Sequence, residues 1–244
     1  MKKTLLITGV LLALTATVAS AAGINLYWND CSVAGVTNKT FNCASNAGSN
    51  TMTVSFDPPP GLSSVNGLDM IIDIQSTSNP MTQWWFFKNT GTCRLASLGA
   101  NTVFSSANCT EPWASAGSGN ISAYLNNFGG DPKRARLAGT VSVGGPLAGP
   151  VSPGTEYYAL NITINNAKTV GTGACAGCAD PTCLVLNDLL ISQPAGTQGG
   201  SPKVTNPLTS NFITWQGGAI GGSGCPGATP TVNRTWGQVK SIYR

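Results

Sequence analysis

Short runs of alternating apolar and polar residues, cut by Gly and Pro, constrain this chain more than any other feature. Residues Thr51 to Phe56 alternate strictly, which puts Met52, Val54 and Phe56 on one face of an extended strand. Pro58, Pro59, Pro60 and Gly61 end that run. Leu68 to Ile74 places Met70, Ile72 and Ile74 on one face, with Asp69, Ile71 and Asp73 on the other. Tyr158, Leu160, Ile162 and Ile164 alternate with Ala159, Asn161 and Thr163. Cys183 to Ile191 is denser in apolar residues and reads as a strand buried on both faces. Shorter strands are expected at Ile24 to Trp28, Thr82 to Phe87, Ile121 to Leu125, Leu137 to Val143, Phe212 to Trp215 and Val239 to Tyr243. No long stretch repeats apolar residues at helical spacing. The expectation is an all-β fold, a β-sandwich or jelly roll in one domain over 22–244. Gly-rich stretches at 194–201 and 217–230 read as loops, the first a possible hinge.

The N-terminus reads as a secretory leader. Lys2 and Lys3 precede an apolar run to Val18, and Ala19, Ser20 and Ala21 supply a small-residue cleavage site. The run is shorter than the ~20 residues of a membrane span. Residues 1–21 are therefore assigned to a signal peptide, and the compartment to periplasm, cell surface or exterior. No later stretch is apolar enough to span. All eight cysteines follow this leader: Cys31, Cys43, Cys93, Cys109, Cys175, Cys178, Cys183 and Cys225. An even count in an exported chain reads as disulfides. Sequence proximity favours Cys31–Cys43 and Cys93–Cys109, and leaves the last four unassigned.

Charge then excludes partners. Charged residues are 9% of the chain, against ~25% in a typical soluble protein. With no basic stripe to neutralise phosphates, nucleic acid is not an expected partner. Few charges also leave strand edges little protection against pairing, which suits assembly with itself or with other envelope proteins.

The chain has no histidine. Serine triads, cysteine–histidine dyads and most catalytic zinc sites need imidazole, so one chain cannot build them. The surviving enzymatic option is a pair of carboxylates, as in glycan hydrolases. Asp69 and Asp73 share a strand face, and a solvated face is the simpler account of them. Cys175-Ala176-Gly177-Cys178 with Cys183 and Cys225 could be written as a zinc site, or the C-x-x-C as a redox pair. The oxidising compartment favours disulfides over both. No metal and no cofactor is expected.

Trp84-Trp85-Phe86-Phe87 is the most suggestive run. In a strand, Trp84 and Phe86 face one way and Trp85 and Phe87 the other. One pair would enter the core. The other could form an exposed platform on which sugar rings stack, making these four the candidate ligand-binding residues, although core duty is the default for residues this large.

Three stretches resemble a group of uncharacterised exported bacterial proteins that are β-rich and contain cysteines. They are Trp28-Asn29-Asp30-Cys31, the segment from Cys175 to Cys183, and the ending from Thr235 to Arg244. That resemblance implies a bacterial envelope or extracellular setting and brings no activity or site residue with it. The sequence reading is thus an exported, non-enzymatic structural or interaction protein. A carbohydrate-binding module and a carboxylate-dependent glycan hydrolase are the alternatives.

Overall fold

The computed structural model describes residues 22–218. The leader at 1–21, Cys225, most of the stretch 217–230 and the strand expected at Val239 to Tyr243 lie outside the described residues, as does the ending from Thr235 to Arg244. Within them the chain is all β. Its first strands are β1 (Gly23–Trp28), β2 (Asn38–Lys39), β3 (Ser49–Asp57), β4 (Ser64–Val65) and β5 (Gly67–Ser76). Next come β6 (Leu98–Asn101), β7 (Ser118–Asn126), β8 (Arg134–Ser142) and β9 (Gly149–Pro150). The last are β10 (Tyr157–Asn165), β11 (Thr182–Ser192), β12 (Lys203–Val204) and β13 (Phe212–Trp215).

The smaller sheet runs β1-β3-β10-β6 and is antiparallel throughout. The larger runs β2-β13-β11-β5-β8-β7, with β12 beside β11 and only β2–β13 parallel. β4 and β9 form a separate short ribbon. The alternating runs explain the sandwich. Met52, Val54 and Phe56 of the small sheet and Met70, Ile72 and Ile74 of the large one are buried in one apolar cluster. Each such side chain stabilises by roughly 1.5–3 kcal/mol relative to exposure.

Two expectations need correcting at the level of a single strand. Simple alternation puts Tyr158 on the core face with Leu160. A register shift between Tyr158 and Leu160 turns Tyr158 instead to the outer face, opposite Ser55. On β5, Asp73 is not solvated: it is 5% exposed. Arg136 on β8 pairs with it at 2.6 Å and Arg134 at 3.1 Å. β11 matches its expectation only in part. Thr182 to Leu186 are buried on both faces, whereas Asn187, Asp188, Leu190 and Ser192 are half-exposed. The stretch 194–201 is a loop, in which Gln193 Nε2 donates to Gln198 O (2.8 Å) and Gly200 O (2.9 Å).

Disulfide bonding is as expected in kind, but the pairing differs. The bonds are Cys31–Cys109, Cys43–Cys178 and Cys93–Cys175, with Cα separations of 6.4, 5.8 and 6.1 Å. Cys183 is also disulfide-bonded. Cys31 and Cys43 each bond a cysteine far along the chain, because the sandwich brings distant loops together. The closed loops span 78, 135 and 82 residues. In the chain-entropy account each such cross-link stabilises by about 4–5 kcal/mol, more than a hairpin-sized loop would. The two C-x-x-C cysteines bond to different partners, which removes the redox-pair reading. These pairs favour an oxidising, exported environment, and no helix among the described residues is long and apolar enough to cross a membrane.

Non-reducing peptide mapping is expected to recover the 31–109, 43–178 and 93–175 linked peptides. A Cys31–Cys43 peptide would contradict this topology. Removing one bond, as in the Cys31→Ser, Cys109→Ser double variant, is expected to cost about 2–5 kcal/mol in denaturant unfolding.

Candidate functional site

The aromatic run does not form a strand. Gln83–Trp85 instead form a single 3₁₀ turn after Thr82. Trp85 N donates to Thr82 O (3.1 Å), and Trp84 N to Ala176 O (3.0 Å). The turn drops both indoles inward. Trp84, Trp85 and Phe87 are fully buried, and Phe86 is half-buried against the core. Trp84 and Trp85 meet Trp215 of β13, whose ring centroid lies 4.7 Å from the first and 5.5 Å from the second. Phe41 stacks on the other side of Trp215 at 3.7 Å, and Trp28 closes the group. Trp84, Trp85 and Phe87 are therefore core residues, with no face open for a sugar. Gly177 permits the approach. Its φ is +113°, and a Cβ there would meet Thr82 Oγ1 at 1.8 Å.

Arg94 is sealed into this cluster. Its guanidinium lies 3.7 Å from the Trp84 ring centroid. It donates to the carbonyls of Trp84 (2.9 Å), Ala167 (3.1 Å) and Asn165. Burial pushes its pKa down to about 9, so it stays cationic at neutral pH. Three carbonyls at loop ends are thereby satisfied by one side chain.

The outer face of the small sheet carries a second constellation, which the sequence did not single out. Asp30 follows β1 and sits under loop residues 104–109. Its Oδ1 accepts from Cys31 N (2.8 Å) and Tyr158 OH (2.6 Å); its Oδ2 accepts from Ser106 Oγ (2.5 Å) and Asn108 Nδ2 (2.7 Å). Phe104 stacks on the Tyr158 ring at 4.4 Å. Burial alone would raise the Asp30 pKa, but these donors outweigh it and hold the carboxyl below its ordinary value. The same burial, then the bond to Asp30, raises Tyr158. Next to this group, Glu156 Oε1 accepts from Asn25 Nδ2 (2.8 Å) and Ser55 Oγ (2.5 Å), and Oε2 from Ser32 Oγ.

What this arrangement can do follows from its saturation. The crevice lined by Asp30, Thr53, Phe104, Ser106, Tyr158 and Asn161 encloses about 20 Å³, the room of one water. Asp30 is held ionised with its acceptors filled, the opposite of a general acid with a raised pKa. The Cys31 and Cys109 sulfurs and a Glu156 oxygen lie within 4.8 Å of one another. Both sulfurs are in a disulfide, so neither is a thiolate for a metal. The constellation ties two covering loops to the sheet beneath them.

A third feature is the rim of the large sheet. Among the described residues, β7 pairs with a strand, β8, on one side only. Ser118, Asn120, Ser122, Ala123 and Leu125 are exposed along it, Leu125 by 51%. The sequence signal for this was the absence of charge from Ser118 to Asn126, legible only once the strand order placed that segment at an edge.

No protein-family model and no curated protein matches the chain. Among solved structures it is similar to a cohesin module from a family 33 glycoside hydrolase of Clostridium perfringens ATCC13124. The two are 7% identical with a TM-score of 0.37, over 80% of this chain and 97% of that one.

Two substitutions check these assignments. Asp30→Asn is expected to lower stability at pH 7 by roughly 1 kcal/mol, because partly exposed charge-assisted bonds are screened. A lowered folded pKa stabilises above the ordinary carboxylate range and is lost as pH falls through it. The gap between Asp30→Asn and the wild type should therefore narrow below about pH 4 in urea titrations. Arg94→Ala is expected to cost about 3–5 kcal/mol by orphaning buried carbonyls, with Arg94→Lys recovering less than half, since an ammonium lacks the planar fork.

Proposed function

We propose that this chain is an exported, non-catalytic structural or interaction domain of the cell envelope or exterior, and that it meets its protein partners through the edge of β7. The observation that carries this reading is the edge itself: nine uncharged residues that, among the described residues, pair with a strand on one side only. Such an edge offers a row of backbone donors and acceptors to an incoming strand. The disulfides support an extracellular working life, because they hold loops that would otherwise fray. The acids support a non-catalytic role, because Asp30, Asp73 and Glu156 are each occupied in holding strands or loops together.

Photo-crosslinking in the producing cell's exported fraction tests the reading. A crosslinking side chain at Ser122 is expected to give discrete protein adducts, identified by mass spectrometry. The same side chain at exposed Thr172 is expected to give none. Equal yields at both positions, or turnover of a polysaccharide by the purified protein, would remove the reading.

A further inference from the structure

Cys183 has a partner that the three bonds above do not supply. The chain has eight cysteines. Six are taken up by the 31–109, 43–178 and 93–175 bonds. Cys183 is disulfide-bonded as well. The cysteine that remains is Cys225, outside the described residues.

The setting of Cys183 points the same way. On β11, Leu184 and Leu186 face the core, so Cys183 and Val185 stand on the outer face of the larger sheet. Outward positions further along the strand, Asp188, Leu190 and Ser192, are half-exposed. Cys183 and Val185 are instead buried, at 0% and 2% exposure. Among the described residues, half-buried Phe212 of β13 is the apolar neighbour packed on them. A patch on an outer face loses contact with water only where other groups lie over it. The described residues end beside this patch: a Cβ on Gly218 would lie 2.7 Å from Thr182 O, and Thr182 precedes Cys183. Cys225 follows seven residues after Gly218. Such a span reaches up to about 25 Å when extended, far more than the ~6 Å between the Cα atoms of a disulfide.

We infer that Cys183 is bonded to Cys225 of the same chain, and that the bond seats the segment 219–225 over Cys183, Val185 and Phe212. This goes beyond the interaction reading above and does not depend on it. Burial of Cys183 favours the same chain, since a cysteine of a second copy would have to reach a side chain with no exposed surface. Forming the bond joins two Sγ atoms and releases two protons and two electrons. The electrons pass by thiol–disulfide exchange to an oxidised dithiol protein or small disulfide of the exported compartment, the class of oxidant that the other three bonds also require. The oxidised chain thereby closes this apolar patch to partners.

Peptide mapping of the unreduced, alkylated protein tests the bond. Trypsin with an aspartate-specific protease separates Cys183 from Cys178 at Asp180. Peptide 180–187 is expected to be linked to peptide 204–234. An alkylated Cys183 or Cys225 in unreduced protein overturns the bond, as does a dimer linked through Cys225 on a non-reducing gel. Substitutions on the outer face test the seat. Val185→Asn is expected to lower the urea midpoint of unfolding, and Leu190→Asn, half-exposed on the same strand face, to leave it nearly unchanged. Equal shifts for the two overturn the covered patch. In a Cys183→Ala, Cys225→Ala background the Val185→Asn shift is expected to shrink by at least half. An undiminished shift there means that the bond does not seat the segment. Circular dichroism confirms that each variant is folded. If the double-alanine background does not fold, the peptide map and the Val185–Leu190 comparison in the intact chain still decide the matter.

Discussion

Everything in this structure hangs on how the open end of the sandwich is closed. Two twisted sheets bury their facing side chains but leave gaps at the ends, where loops must supply the packing. Here the plug is aromatic. Trp84 and Trp85 enter from a single 3₁₀ turn and meet Trp215, which Phe41 and Trp28 support from the other side. Each close ring pair adds about 0.5–1.5 kcal/mol beyond its area burial. The Cys43–Cys178 and Cys93–Cys175 bonds sit beside this plug and fix the loops that carry it. Arg94 satisfies the carbonyls that those loops would otherwise leave bare. Covalent bonds, ring packing and one buried cation thus act on the same small region.

The same logic governs the outer face of the small sheet. A sheet face rich in Asn, Ser and Thr cannot be covered by apolar loops, so the covering must be polar and saturated. Asp30 and Glu156 supply acceptors at two points, and the Cys31–Cys109 bond holds the loops that carry the donors. With few charges elsewhere on the chain, these carboxylates are spent on architecture. Among the described residues, β7 is the longest strand left at a sheet edge.

How much of this could be read in advance depended on the range of the interaction involved. Strand positions were legible because alternation is local: Met52, Val54 and Phe56 occupy the core face that their period assigns. Tyr158 was misplaced because a one-residue bulge reverses facing and leaves no local signature. Thr82 to Phe87 failed as a strand because four consecutive aromatics carry no period, and a 3₁₀ turn buries three of them where a flat strand would turn two to each face. The Asp30 constellation was invisible, since Asp30, Ser106 and Tyr158 are dispersed along the chain and each is unremarkable alone.

By itself, the sequence determined that the chain is built of strands, that its thiols are cross-linked, and that imidazole chemistry is out of reach. Those properties follow from residue type and near-neighbour spacing. Tertiary structure alone decided which cysteines meet, which aromatics are hidden and which strand is left at the rim. Each of these is a matter of strand order, and strand order is fixed by long-range packing that no short window of residues contains.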